Sequence, residues 1–326
     1  TLWGVTRSYK RELRSRDGFV LVTAGWILMS AIATVPLLIA LPGLTFTDAF
    51  FETMSGLSTT GATVLVGLDH LPPSINLWRH ALNWYGGMGI IVLVVAILPL
   101  LGVGGMQVYK AETPGPMKDE KLTPRITQTA RALWFVYFLI TVACILSLKM
   151  AGMNWFDAVC HAFAALALGG FSTYDASVGH FDSPAIEAVL IVFMLIAAMN
   201  FSRHFIAWQQ KSLRTYREDS EARALLVVVG LSTLGLALLI WHQGVYADFW
   251  TSLRHVAFNL VSIATDCGFV SQDYAAWPMF APMVILMLSC YCANTGSTGG
   301  GIKMFRTLVL FRQAQRELFL LVHPAA

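Results

Sequence analysis

Charge is what this sequence has least of. Asp, Glu, Lys and Arg make up only 13% of its 326 residues, against about 25% in a soluble domain. Water is therefore not the solvent for most of its surface. Also missing is the apolar–polar alternation over ~10-residue stretches that a membrane β-barrel needs; the apolar runs here are continuous. Five cysteines (Cys144, Cys160, Cys267, Cys290, Cys292) lie in or beside those runs with no disulfide-framework or zinc spacing. Cys290-Tyr291-Cys292 is shorter than a CxxC ligand pair and reads as two small packing residues. The eight histidines form no HxxxH or HExxH; His161 and His255 read as hydrogen-bonded packing residues. No set of paired catalytic groups is recognisable, so an enzyme is not expected. The chain opens at Thr1 with no methionine and no visible signal peptide, and reads as an excerpt of a longer protein.

What is there is apolar, 56% of the chain. A bilayer core asks for ~20 apolar residues per helix. Residues 19–41, 77–103, 132–150, 185–201, 224–241 and 278–293 meet or approach that. Unpaired backbone is not tolerated in lipid, so these spans are expected to be helices. The fold class is an all-α membrane protein.

Of the 22 Lys and Arg, 19 fall in residues 1–18, 110–131, 203–223 and 303–316, while Arg79, Lys149 and Arg254 lie elsewhere. The positive-inside rule makes those four segments cytoplasmic. The connections 43–76, 151–184 and 242–277 are then external, yet each holds an apolar stretch too short to span: 46–57, 155–168 and 249–264. If these crossed, the next basic segment would flip outside. The economical reading is that they dip into the membrane and return, which irregular backbone tolerates where it lines a water-filled cavity.

The dips end alike, in Ser58-Thr59-Thr60-Gly61-Ala62-Thr63, Ala167-Leu168-Gly169-Gly170-Phe171-Ser172 and Ala264-Thr265-Asp266-Cys267-Gly268-Phe269. Asp48, Asp157 and His255 each precede their glycine by 13 residues. This is an internal repeat of about 100 residues, three copies of helix, pore helix, glycine turn, helix. The boundaries expected are a basic segment 1–18, repeat 1 over 19–110, a cytoplasmic loop 111–131, repeat 2 over 132–208, a loop 209–223, repeat 3 over 224–312 and a cytoplasmic tail 313–326.

Carrying an ion through lipid means replacing its hydration shell, and rings of backbone carbonyls do this for potassium. Successive carbonyls face one way only at unusual φ/ψ, which glycine adopts freely. The candidate filter is therefore Thr59, Thr60 and Gly61, then Leu168, Gly169 and Gly170, then Asp266, Cys267 and Gly268. Asp266 either adds negative field at the pore mouth or caps a turn and pairs with Arg254. Asp48, Asp157 and Asp248 read as helix-capping residues, and Glu52 lies near them.

In the last span, helix gives way to Asn294-Thr295-Gly296-Ser297-Thr298-Gly299-Gly300-Gly301-Ile302-Lys303. Glycine at ~1 kcal/mol each against alanine cannot hold a helix there. This break, mid-membrane below the filter, is expected to be a gating loop of Asn294, Gly296, Ser297, Thr298, Gly299, Gly300, Gly301 and Lys303; a plain kink is the alternative. A phosphate-binding P-loop is excluded, because Ile302 precedes Lys303 and Met304 replaces Ser/Thr.

These features, with Phe46-Thr-Asp-Ala-Phe-Phe-Glu52, Thr59-Thr-Gly-Ala-Thr63, Trp84-Tyr-Gly-Gly-Met-Gly-Ile90, Pro114-Gly-Pro-Met117, Gly169-Gly-Phe-Ser172 and Gly296-Ser-Thr-Gly-Gly-Gly-Ile-Lys303, resemble the TrkH subunits of bacterial Trk potassium uptake systems, in the Trk/Ktr/HKT superfamily. The resemblance covers nearly the whole chain. It implies a pseudo-fourfold potassium pore in the cytoplasmic (inner) membrane, one filter glycine per repeat and an intramembrane gating loop. It also implies a homodimer and control by a cytoplasmic, nucleotide-binding TrkA-like ring, for which 110–131 and 203–223 offer surface. The family further has an N-terminal helical hairpin and a fourth repeat, neither of which lies in these 326 residues; three filter strands do not close a fourfold ring. Asp266-Cys267 before the third glycine departs from the family pattern. Potassium is the transported ion, with no tightly bound cofactor and no nucleic-acid partner expected. The alternative function is an ion-coupled symporter with a midplane site at broken helices.

Overall fold

A computed structural model describes residues 15–92 and 126–323, with side chains described within 20–91 and 130–323. The basic residues before Ser15, the Pro114-Gly-Pro-Met117 motif and the rest of 93–125 lie outside the described residues. Twelve α-helices and no strand occur among the described residues. They are α1 (Ser15–Ala40), α2 (Phe46–Leu57), α3 (Pro73–Val92), α4 (Ile126–Met150), α5 (Trp155–Ala167), α6 (Pro184–Ala198), α7 (Phe201–Gln210), α8 (Arg214–Glu218), α9 (Ser220–His242), α10 (Phe249–Ala264), α11 (Phe280–Ser289) and α12 (Met304–Val322).

Within these, Val22–Ala40, Ala130–Met150 and Ser220–His242 are long and apolar enough to cross a bilayer. The dipping helices α2, α5 and α10 have only 12, 13 and 16 residues. At 1.5 Å per residue they reach about 18–24 Å, short of a ~30 Å hydrocarbon core. Each is started by a side-chain cap. Thr45, Asn154 and Asp248 accept from the backbone N–H three residues on, at Asp48, Asp157 and Thr251, and such caps stabilise a helix by about 1 kcal/mol. Asp248 is thus the cap itself. Asp48 and Asp157 sit in the first turn, where a carboxylate meets the positive helix end.

The packing repeats with the sequence. Each dipping helix lies between the helices that precede and follow it: α2 between α1 and α3, α5 between α4 and α6, α10 between α9 and α11. The helix that leaves one unit then packs on the dipping helix of the next, α3 on α5 and α6 on α10. Helix α5 is central, with Ala162, Ala164, Ala165, Leu166 and Ala167 fully buried.

One helix ends earlier than the hydropathy suggests. The fourth apolar run does not extend as one helix to Phe201. It stops at Ala198, and α7 leaves at 97° to α6. Asn200 is the reason, because its side chain caps α7 by accepting from the Ser202 N–H and so favours a new start over continuation. The stretch 209–223 is not a plain loop either, since it contains α8 and the first turn of α9.

Candidate ion-conduction site

The three dipping helices end in the same backbone device. Two residues before each glycine stands a non-glycine residue in the left-handed region: Thr59 (φ 57°), Leu168 (φ 52°) and Asp266 (φ 63°). The glycines come next at Gly61 (φ 75°), Gly170 (φ 64°) and Gly268 (φ 93°). Amides of the turn close back on the helix, Thr60 N–H to Ser55 O (2.9 Å), Gly169 N–H to Ala164 O (2.9 Å) and Cys267 N–H to Ser262 O (2.8 Å). A left-handed L-residue carries about 1–2 kcal/mol of strain. Three at one repeat position are a built feature rather than an accident of looping.

The turns lie side by side. A Cβ added to Gly61 would fall 1.8 Å from the Gly169 carbonyl oxygen, and one on Gly170 would fall 2.1 Å from that of Cys267. One on Gly268 meets nothing within 4 Å. The middle strand is buried at Leu168 and Gly169, whereas Thr60 and Gly268 on the outer two are exposed. The turns therefore run in the order 1, 2, 3 at backbone contact. Residues remote in sequence hold them so: Asp175 accepts from the Gly67 and Leu68 amides at 2.8 and 3.0 Å, and Gly179 N–H donates to Val270 O at 3.0 Å.

The carbonyls of the turns differ from those just past the glycines. There, Ala62 O accepts from Ser55 (2.6 Å) and Ser172 O from Arg79 (3.4 Å), and Phe171 O lies 3.0 Å from His80 Nε2. Among the described residues, no loop or turn amide donates to the carbonyls of the nine turn residues Thr59–Gly61, Leu168–Gly170 and Asp266–Gly268. The C-termini of α2, α5 and α10 add their partial negative charge at the same place. Such a cluster attracts a cation and repels an anion.

Behind the turns sits a polar layer that sequence reading largely missed. Buried Glu52 receives Arg79 Nε at 2.6 Å, the Thr63 hydroxyl at 3.0 Å and the Val64 amide at 3.2 Å. Arg79 also lies over the Phe171 ring at 4.4 Å, so it ties turn 1 to turn 2. The signal was present: a lone Arg in a span and a Glu in a short intramembrane helix call for partners. Asp157 accepts from Thr173 (2.8 Å) and Tyr174 (2.9 Å), which anchors the strand after Gly170. Arg254 pairs with Glu187 at 2.7 Å and Asp182 at 2.8 Å, not with Asp266. His161 lies 2.9 Å from Asp157 O and 3.1 Å from Ser172 Oγ. Gly86 and Gly87 explain the Trp84–Ile90 motif, since a Cβ there would strike Leu57 O at 1.9 Å or Ala167 Cα at 2.9 Å. They let α3 press against the ends of two dipping helices.

The glycine-rich stretch lies directly beneath. Gly299 packs on Thr265 O and Leu168 Cδ1, where a Cβ would stand at 3.1 and 3.4 Å, and Gly300 on Asp266 Oδ2 at 3.4 Å. Thr298 Oγ1 donates to Leu166 O (3.1 Å) and Ala197 O (3.4 Å). Lys303 Nζ donates to Gly299 O, and its charge acts on Asp266. The stretch also bonds to the α6–α7 elbow: Asn294 N–H to Ala198 O (3.0 Å) and Phe201 N–H to Gly296 O (3.1 Å). The elbow had not been foreseen; Asn200-Phe201-Ser202-Arg203, where polarity returns after an apolar run, was its only trace.

Short dipping helices, adjoining carbonyl turns and a loop against them define a membrane protein that moves cations. Comparison with known proteins agrees. Residues 1–325 match the family model described as "TrkH: Cation transport protein". The Trk system potassium uptake protein TrkH of Escherichia coli K12 is 49% identical over all of this chain and 68% of its own length. TrkG of the same organism is 43% identical over 99% of this chain and 67% of its own. The solved structure of the potassium transporter TrkH from Vibrio parahaemolyticus superposes with a TM-score of 0.89 at 45% identity, covering 99% of this chain and 66% of that one. The chain belongs to the TrkH family, a family of transporters rather than enzymes, and spans about two thirds of the length of these relatives.

Proposed function

We propose that this chain forms most of a potassium pathway through a bacterial inner membrane. Carbonyls of Thr59, Thr60, Gly61, Leu168, Gly169, Gly170, Asp266, Cys267 and Gly268 replace the water around the ion. The backbone contact of the three glycine turns is the observation that carries this reading, and the potassium uptake relatives support it. A further strand beside Gly268 completes the ring in the whole protein. The stretch Asn294, Gly296, Ser297, Thr298, Gly299, Gly300, Gly301 and Lys303 gates the path from below. The protein works with other Trk components, as a homodimer under a cytoplasmic nucleotide-binding subunit.

The test is uptake of radioactive rubidium by the full-length protein in a potassium-uptake-deficient bacterium, with Gly61, Gly170 and Gly268 each changed to serine. Lost preference for potassium over sodium is expected. Wild-type preference in all three variants removes the filter assignment.

One observation favours a second reading, a coupled symporter. Two broken helices, α6–α7 and α11–α12, meet at their breaks, an arrangement that builds midplane sites in secondary transporters. Saturable uptake that tracks an imposed proton gradient selects it; flux that tracks only the potassium gradient and voltage selects the channel-like path.

A further inference from the structure

The α6–α7 elbow leaves a cleft of about 950 Å³ between α4, α7, α8 and the first turns of α9. Its walls are apolar, from Val136 and Leu139 of α4, Ile196 and Met199 at the elbow, and Leu226 of α9. The wall runs on into exposed Phe135, Phe138 and Val227 on the flanks of two membrane-crossing helices. An apolar surface in that setting faces acyl chains, so the occupant comes from the bilayer. At the mouth stand Lys211 and Arg223, both exposed, with Trp208 beside them.

The mouth lies at a defined depth. Helix α9 begins there, and with Trp208 and Lys211 it lies in the basic stretch 203–223 that marks the cytoplasmic face. Tryptophan prefers that level, and basic side chains between membrane helices on that side hold anionic headgroups. Arg adds a planar fork matched to a phosphate. The floor is the elbow. His204 spans it, 2.9 Å from Ile196 O and 2.8 Å from Tyr216 Oη. The next two carbonyls, of Ala197 and Ala198, hold Thr298 and Asn294 of the glycine-rich loop.

We propose that this cleft is a binding site for an anionic phospholipid, one acyl chain lying between α4 and α9 and the phosphate between Lys211 and Arg223, and that the bound lipid braces the elbow that carries the glycine-rich loop. A chain wedged against Ile196 and Met199 limits the swing of α7. The elbow carbonyls then keep their registry with Asn294 and Thr298.

The test is tryptophan quenching in phosphatidylcholine vesicles, with equal fractions of phosphatidylglycerol or phosphatidylcholine brominated near the headgroup end of the chain. Ten tryptophans contribute, so the Trp208 signal is the difference between the parent and Trp208→Phe. Brominated phosphatidylglycerol is expected to quench Trp208 in clear excess over brominated phosphatidylcholine. Lys211→Gln and Arg223→Gln each reduce that preference about fivefold, and together about 25-fold. Arg223→Lys retains most of it. Leu226→Trp fills the cleft and abolishes quenching by both lipids in the Trp208 difference signal. Equal quenching by the two lipids, or a preference that survives the double charge variant, overturns the site. Hydrogen exchange reads the brace: the Asn294 and Phe201 amides exchange more slowly in phosphatidylglycerol vesicles than in phosphatidylcholine, and equal exchange overturns the coupling. If a soluble segment or a second copy fills the cleft instead, lipid quenching of Trp208 is absent.

Discussion

Equivalent glycines in three repeats need not be equally sensitive to substitution, and the geometry here ranks them. An alanine at Gly170 places its Cβ 2.1 Å from the Cys267 carbonyl oxygen, where ordinary C···O contact is about 3.3 Å or more. Two adjoining strands must part by more than an ångström, which as overpacking costs about 1–3 kcal/mol. The side chain also sits at φ 64°, adding about 1–2 kcal/mol. The sum is about 2–5 kcal/mol. Gly61→Ala, at 1.8 Å from Gly169 O, behaves the same way. Gly268→Ala meets nothing within 4 Å and pays only for its positive φ. The assay is the thermal unfolding midpoint of this chain purified in detergent. Gly152→Ala serves as control, because it too has positive φ and open space but lies before α5 rather than in a turn. Gly170→Ala and Gly61→Ala are expected to fall well below Gly268→Ala, and Gly268→Ala to match Gly152→Ala. If Gly268→Ala is as damaging as Gly170→Ala, the adjacency of the turns is wrong.

Three particular contacts carry further expectations. Arg79→Met strands the buried Glu52 carboxylate and should destabilise by about 3–5 kcal/mol, with Glu52→Gln/Arg79→Met recovering most of it; additive losses in the thermal midpoint would contradict a paired role. Thr298→Val removes the donor to Leu166 and Ala197, worth about 1 kcal/mol. Rubidium efflux from vesicles holding the full-length protein alone should therefore rise about fivefold, and unchanged efflux speaks against a gating loop. At the start of α10, the Thr251 hydroxyl and amides of the first turn hold the Asp248 carboxyl below its usual range. A depressed folded pKa contributes stability that is complete above the unfolded value of about 3.9 and is lost as pH falls through the folded one. The thermal midpoint of Asp248→Asn is thus expected to vary less with pH than the parent below about pH 4; parallel profiles would remove that cap from the account.

Much of the architecture was legible because its causes are local. The short apolar stretches 46–57, 155–168 and 249–264 match α2, α5 and α10 to within a residue. The constraint behind them, charge bias against span length, acts on composition alone. The positions of Gly61, Gly170 and Gly268 could also be read, since a turn that reverses a helix in lipid needs left-handed backbone. What stayed hidden was pairing across repeats. Nothing near Glu52 announces that its partner is 27 residues away, nor that Arg254 takes Glu187 rather than Asp266. The left-handed Thr59, Leu168 and Asp266 were hidden for another reason. Thr and Leu carry no propensity for that region, aspartate only a modest one, and tertiary contact imposes it on all three. The bend at Asn200 was missed because hydropathy averages over it.

The elbow and the glycine-rich loop make better sense together than apart. A helix broken in the membrane leaves amides and carbonyls without partners, at several kcal/mol each if lipid is the only surrounding. The break after Ala198 frees its carbonyl and the Phe201 amide. The break after Ser289 frees the Asn294 amide and the Gly296 carbonyl. The observed bonds match these groups in pairs, Asn294 to Ala198 and Phe201 to Gly296. Neither break is self-sufficient, and each supplies what the other lacks. A displacement of the loop must therefore strip four backbone groups at once, and only water can take them over. Loop movement and wetting of the path below the turns are then one event. A substitution that loosens either break, Asn200→Ala as much as Thr298→Val, should shift the same equilibrium in the same direction.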